Sequence, residues 1–191
     1  MNTQKIILKL IIILITFSSC SKSDDDVTVI EAIPQYPMKS LIESGHMQVT
    51  YEKVNEPVTF ELGYKFKSFE NGKIIALGIR VPSNGEYRVT LWDLETESVL
   101  STKNITSSSG LLSFEDVDPI DIDSGTDYYV SINTNDYYQF SSPEEGLFPV
   151  ETGDILITGA SSTLGTDQIL PFAFSEQFYL GIVDVKFIPN N

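Results

Sequence analysis

The chain has 191 residues, 41% of them hydrophobic and 20% charged, with a formal net charge of −15. That is enough for one domain with its own core. Nucleic acid is excluded as a partner, because binding phosphates takes clustered Lys and Arg, and here 27 acidic residues stand against 12 basic ones. The single cysteine, Cys20, leaves the folded part without an intrachain disulfide.

Residues 1–19 carry Lys5 and Lys9, an apolar run from Leu10 to Phe17, then Ser18 and Ser19 before Cys20. The run is too short to span a bilayer. A positive start, a short apolar run and small residues before a cysteine resemble the bacterial lipoprotein signal. In that signal cleavage precedes the cysteine and its thiol is acylated. The resemblance implies lipidation of Cys20, and each buried acyl methylene then adds about 0.8 kcal/mol of membrane attachment. Ser21-Lys22-Ser23-Asp24-Asp25-Asp26 resembles the acidic tract of surface-exported lipoproteins of the Bacteroidetes, which implies an outer-membrane, outward-facing location. A solvated spacer explains the same carboxylates, since like charges extend a linker. The expected organisation is a signal at 1–19, a lipidated acidic linker at 20–32 and one domain at 33–191. Without Lys5 and Lys9, 10 basic residues remain against 27 acidic ones, a balance of −17.

Pro34 and Pro37 predict an irregular lead-in, with one helical turn over 39–43. A short first strand is expected over 46–51. In 60–67 every second residue is large and apolar, which predicts a half-buried strand. The centre of the chain is 72–93. Ile75, Leu77, Ile79 and Val81 alternate with Ile74, Ala76, Gly78 and Arg80; after Pro82-Ser83-Asn84-Gly85, Tyr87, Val89 and Leu91 alternate with Arg88, Thr90 and Trp92. This period of two around a turn predicts a β-hairpin with Ile79 beside Val89, Trp92 across from Ala76 and Arg80 opposite Arg88. Further strands are expected at 98–105, 111–117, 120–122, 128–133, 154–159 and 178–188. Ile122 lies six residues before Tyr128, as in the tyrosine corners of immunoglobulin-like sandwiches, so Tyr128 is a corner candidate. The fold class expected is all-β, an antiparallel two-sheet β-sandwich of about 8 to 10 strands, immunoglobulin-, fibronectin- or jelly-roll-like.

Glu61-Leu62-Gly63-Tyr64-Lys65-Phe66, Gly72-Lys73-Ile74, Gly78-Ile79-Arg80, Leu91-Trp92-Asp93, Ser124-Gly125-Thr126-Asp127-Tyr128 and Val183-Asp184-Val185-Lys186-Phe187 occur in the order of an extracellular bacterial family. Over 56–189 the chain resembles domain of unknown function family four-zero-eight-two. The resemblance implies a β-sandwich and an extracellular setting, and no activity. Val81-Pro82 stands where that family carries an aromatic-lysine pair.

Catalytic residue types are scarce. His46 is the single histidine and has no nucleophile motif around it, so a triad or a histidine general base has no footing. One histidine and one acylated cysteine cannot build a usual zinc site. Asp116, Asp118, Asp121 and Asp123 offer hard oxygen ligands that invite calcium. Their alternation with Ile120 and Ile122 also suits the outer face of a strand, and no metal or cofactor is assigned. Arg80 and Arg88 are the only arginines and Trp92 the only tryptophan. Like charges facing each other are unfavourable, so something anionic is expected near them. That is either a carboxylate from a neighbouring strand or an acidic or hydroxyl-rich ligand. Arg80, Arg88, Trp92 and Tyr129 are the candidate ligand-binding residues, with Ala76 and Gly78 leaving a low surface beside Trp92. Tyr129, Tyr137 and Tyr138 are either exposed or a second hydrophobic layer. The expectation is a non-catalytic adhesion or binding module for a glycan or surface polymer. An accessory subunit that binds a surface protein, and a glycan-processing enzyme, are the alternatives.

Overall fold

The computed structural model describes residues 32–47, 49–141, 147–176 and 178–190. The expected signal, Cys20 and the linker up to Glu31 lie outside the described residues. No helix among the described residues is long and apolar enough to cross a membrane. A short helix, α1 (Pro37–Glu43), precedes the strands β1 (Val49–Ser68), β2 (Gly72–Ile79), β3 (Gly85–Asp93), β4 (Ser98–Ser107), β5 (Ser113–Ile122) and β6 (Tyr128–Ser141). Then come β7 (Val150–Thr152), β8 (Ile155–Leu164), β9 (Ala173–Ser175), β10 (Phe178–Leu180) and β11 (Val183–Pro189). They form two antiparallel sheets. The larger has the order β4-β3-β6-β1-β8-β7, with β10 on β6 and β9 on β8; the smaller is β11-β2-β5. The core joins Leu62, Phe66, Leu91 and Ile132 of the large sheet to Leu77, Ile79, Val185 and Phe187 of the small one. The chain is therefore the two-sheet sandwich its alternating pattern predicts.

The expected hairpin is not formed. Ile79 faces Val183 of β11 and Ser113 of β5, whereas Val89 faces Ile132 of β6 and Lys103 of β4. Residues 80–84 are an arch that carries the chain from one sheet to the other. The reason lies in β2, where Ile74, Ala76 and Gly78 are as buried as Leu77 and Ile79. A strand apolar on both faces belongs in the middle of a covered sheet. The arch is fixed by Arg80 N–H donating to Ile182 O at 2.9 Å and Gly110 N–H donating to Val81 O at 2.7 Å.

Other boundaries shift for local reasons. The strand expected at 46–51 begins only at Val49 and continues into the one expected at 60–67 as a single long β1, which passes Pro57 where its register with β6 is interrupted between Asn55 and Phe60. Pairing with β8 begins only at Phe60, so the proline removes no ladder hydrogen bond from that side. The strands expected at 111–117 and 120–122 join in β5, which begins only at Ser113, an edge strand that absorbs Pro119 at an irregularity opposite the Ile74–Ala76 step. The strand expected over 178–188 divides at Gly181, whose φ of +84° switches the chain from the large sheet to the small one. Tyr128 is the corner tyrosine: its phenolic oxygen accepts the Asp123 N–H at 3.0 Å.

The helix starts earlier than expected because Pro37 occupies its first turn, where a missing N–H costs nothing. Two of its free N–H groups, from Met38 and Lys39, donate to the carboxylate of Asp184 at 3.0 and 2.9 Å. That residue lies on β11, so a buried side chain pins α1 to the small sheet.

Candidate functional site

Four sequence-predicted residues fall into two places. Strand register brings three of them together: Trp92 faces Tyr129, Thr90 faces Ser131, and Glu61 of β1 faces Asn133. Arg88 donates through Nη2 to Glu61 Oε2 at 2.7 Å. Ser131 Oγ–H donates to Glu61 Oε1 at 2.6 Å while accepting the Trp92 indole N–H at 2.9 Å, and Asn133 Nδ2 donates to Glu61 Oε2 at 3.0 Å. The anion expected beside Arg88 is thus internal, a carboxylate with almost no solvent exposure.

Residues 165–172 form a strap across this network. Arg88 Nη1 donates to Thr166 O at 3.0 Å, Asn133 Nδ2 to Gly165 O at 3.1 Å, and Gln168 Nε2 to Thr90 Oγ1 and Thr102 Oγ1 at 3.0 and 2.7 Å. Trp92 and Tyr129 are only 3% and 2% exposed. The expectation that they offer a platform for a sugar is corrected: their rings have no free face. Tyr129 donates to Ser161 O at 2.8 Å, and burial pushes its phenol well above the usual tyrosine range. Ala76 and Gly78 leave no low surface beside Trp92, because they belong to the other sheet and Gly78 is covered by the Phe114 ring. Tyr137 and Tyr138 lie in the core.

Arg80 stands apart from Arg88, on the arch. Its Nε donates to Gly110 O at 2.7 Å, and its guanidinium lies over the Tyr138 ring, 5.4 Å from the centroid. Cation–π contact and one hydrogen bond fix the plane of the group. Among the described residues no carboxylate is in ion-pair contact with it. Arg80 borders a cleft of about 290 Å³, walled on one side by Lys39, Ile42 and Glu43 of α1 and on the other by Gly110, Leu111, Leu112 and Ile182. Leu111 is 65% exposed at the mouth. Lys39 and Glu43 are 3.9 Å apart on the helix surface, both well hydrated.

The α1 wall depends on Asp184. Burial pushes its carboxyl up to about 7, against the opposing pull of the Lys39, Met38 and Val185 N–H groups and the Tyr64 hydroxyl. Tyr64 and Tyr179, both buried nearby, have their phenols raised by the same desolvation.

Asp116, Asp118, Asp121 and Asp123 are exposed along and just beyond β5, and Asp121 accepts from Lys73 Nζ at 2.6 Å. Among the described residues no three His, Cys, Asp or Glu side chains gather as a metal site. His46 is exposed just after α1. Glu61, Ser131 and Asn133 escaped the sequence reading, although alternation in β1 marks Glu61 as opposite in direction to Phe60 and Leu62. The cleft residues escaped it altogether, since no local pattern joins Ile42, Leu112 and Ile182.

Fold and site together define a two-sheet antiparallel β-sandwich with a small cleft at the arch between its sheets. The chain matches the family described as a domain of unknown function (DUF4082) over residues 47–164, more than half its length, and it belongs to that family. The match begins before the expected 56 and ends before 189, so Val183-Asp184-Val185-Lys186-Phe187 lies beyond it, although β11 pairs with β2 inside it. No curated protein matches the chain.

Proposed function

We propose that this chain is a non-catalytic binding module, lipid-anchored at Cys20 to the outer membrane and facing outward, which captures an extracellular ligand in the cleft beside Arg80. The observation that carries the reading is Arg80 itself. It is a planar cation held in place by Gly110 and Tyr138, bordering an open cleft, with no ion-pair partner among the described residues. The anchor rests on the residues before Cys20 and on the acidic tract after it. Glycan capture through Trp92 or Tyr129 loses its support with their burial, so a sugar would have to enter the cleft instead.

The test has two arms. Cys20→Ala should abolish acyl labelling and release the protein from the membrane, and protease added to intact cells should cleave the wild type. Normal labelling of the variant, or full protection from protease, would refute the anchored outward-facing reading. Cells carrying Arg80→Gln should lose capture of ligands from glycan and peptide libraries; unchanged capture would move the site elsewhere.

A second reading, an accessory subunit docked on a surface protein, is favoured by one observation. Leu164, Ile169, Phe172 and Phe174 are all about half exposed or more on and beside the strap, and apolar groups concentrated this way mark protein contacts.

A further inference from the structure

We infer that the Arg80 cleft takes a single carboxylate carried on a small hydrocarbon body, rather than a sugar. The inference rests on the cleft being the binding site and names what enters it. Arg80 spends its Nε–H on Gly110 O and one ring-facing side on Tyr138. A guanidinium so placed still has the two terminal nitrogens, the edge that grips a carboxylate with two parallel hydrogen bonds.

The rest of the cleft selects the body of the ligand. Ile42, Leu111, Leu112 and Ile182 line it with aliphatic carbon. A sugar hydroxyl pressed against such a wall gives up water without gaining a partner. A phenyl ring or branched alkyl chain gains from the same wall. The volume, about 290 Å³, lies at the small end of ligand pockets, roughly 300–1,000 Å³, and suits one ring or one short chain.

Charge selects a monoanion. Lys39 adds a second cation to the wall, while Glu43 beside it repels a second negative group. The net charge of −15 disfavours polyanions at longer range. One chemistry, two sources: the carboxylate belongs either to a free organic acid or to the end of a peptide whose last residue is apolar.

The experiment uses the full-length protein in lipid nanodiscs, titrated calorimetrically with 4-phenylbutanoate, with its neutral amide, and with a tripeptide ending in leucine as the free acid or the amide. The acid of at least one pair should bind at least tenfold more tightly than its amide. Binding of both acids assigns the site to small acids generally, and binding of the peptide acid alone assigns it to chain ends. Arg80→Gln should erase the acid's advantage. Because Arg80 also packs on Tyr138, Leu111→Glu serves as a second variant at an exposed position: it adds a carboxylate at the mouth and should weaken acid binding at least tenfold. Equal affinity for acid and amide in both pairs, or acid binding unaffected by Leu111→Glu, would overturn the inference. A hydroxyl-rich ligand captured by wild-type cells and lost in Leu111→Glu would overturn the carboxylate while keeping the cleft.

Discussion

Arg88 and Glu61 show how much one residue's meaning depends on strands far away in sequence. Glu61 is buried on the outer face of β1, where a lone carboxylate would be costly, and it is tolerated because Ser131 donates to one of its oxygens and Arg88 and Asn133 to the other. Arg88→Ala should therefore destabilise the domain by about 3 kcal/mol, because it leaves the charge with fewer partners and frees Thr166 of the strap. Arg88→Lys should recover only part of this, as one ammonium cannot span both acceptors with a planar fork. Urea unfolding measures both, and an Arg88→Ala variant as stable as the wild type would show that the network contributes nothing. The sequence reading asked for an anion near the two arginines and was right in kind for Arg88. It could not name Glu61, because the register between β1 and β6 is a property of the fold.

Asp184 gives a pH dependence with a definite sign. Burial raises its carboxyl from 3.8 to about 7 in the folded protein. Between those values the folded state holds a proton that the unfolded chain releases. The contribution is fully present below about pH 4, and stability falls as pH rises towards 7, by an amount on the order of a few kcal/mol. Around the carboxyl stand Tyr64, Tyr179 and the α1 amides, with no cation among its hydrogen-bond partners. Asp184→Asn should flatten the curve of stability against pH over that window relative to wild type. Parallel curves for the two proteins would assign the dependence to other groups.

Among elements, the instructive pair is β2 and β3. Alternation located both strands, and Pro82-Ser83-Asn84-Gly85 located the reversal between them. A period of two says which residues share a face but not which strand lies alongside. Two signals in 72–93 favoured an arch: the apolar second face of Ile74, Ala76 and Gly78, and the clash of Arg80 with Arg88 that a hairpin would impose. The cleft was illegible for the same reason, being assembled by the arch, α1 and the 110–112 turn. Cysteines distinguish the two arrangements. Lys73 and Asp121 are register partners on β2 and β5, close enough for a disulfide. Lys73→Cys with Asp121→Cys should cross-link on oxidation, whereas Lys73→Cys with Glu95→Cys, partners in a hairpin, should not. Cross-linking of the second pair alone would restore the hairpin.

Across the whole molecule the dominant quantity is charge. With 27 acidic residues against 12 basic ones, self-repulsion opposes the compact state, and salt at physiological strength screens it over about 8 Å. The melting temperature should rise between 10 mM and 150 mM salt at neutral pH; a fall would mean that the surface pairs Lys65–Asp127 and Lys73–Asp121 outweigh the net repulsion.

The lead-in to β1 is fastened to both sheets. Gln35 exchanges backbone hydrogen bonds with Phe187 of β11, while its side chain bonds Asp154 in the turn between β7 and β8; three residues on, α1 is held by Asp184. A load applied through the segment before Gln35 therefore meets these few contacts first, and reaches the β1 ladders with β6 and β8 only after they have parted. The lead-in is a mechanical fuse. Drawn from that end in an optical trap, the protein should lengthen first by the release of the lead-in, as Met38, Leu41 and Met47 leave the core, and only then rupture as a whole, so that a pull at that end is absorbed before the sandwich is sheared.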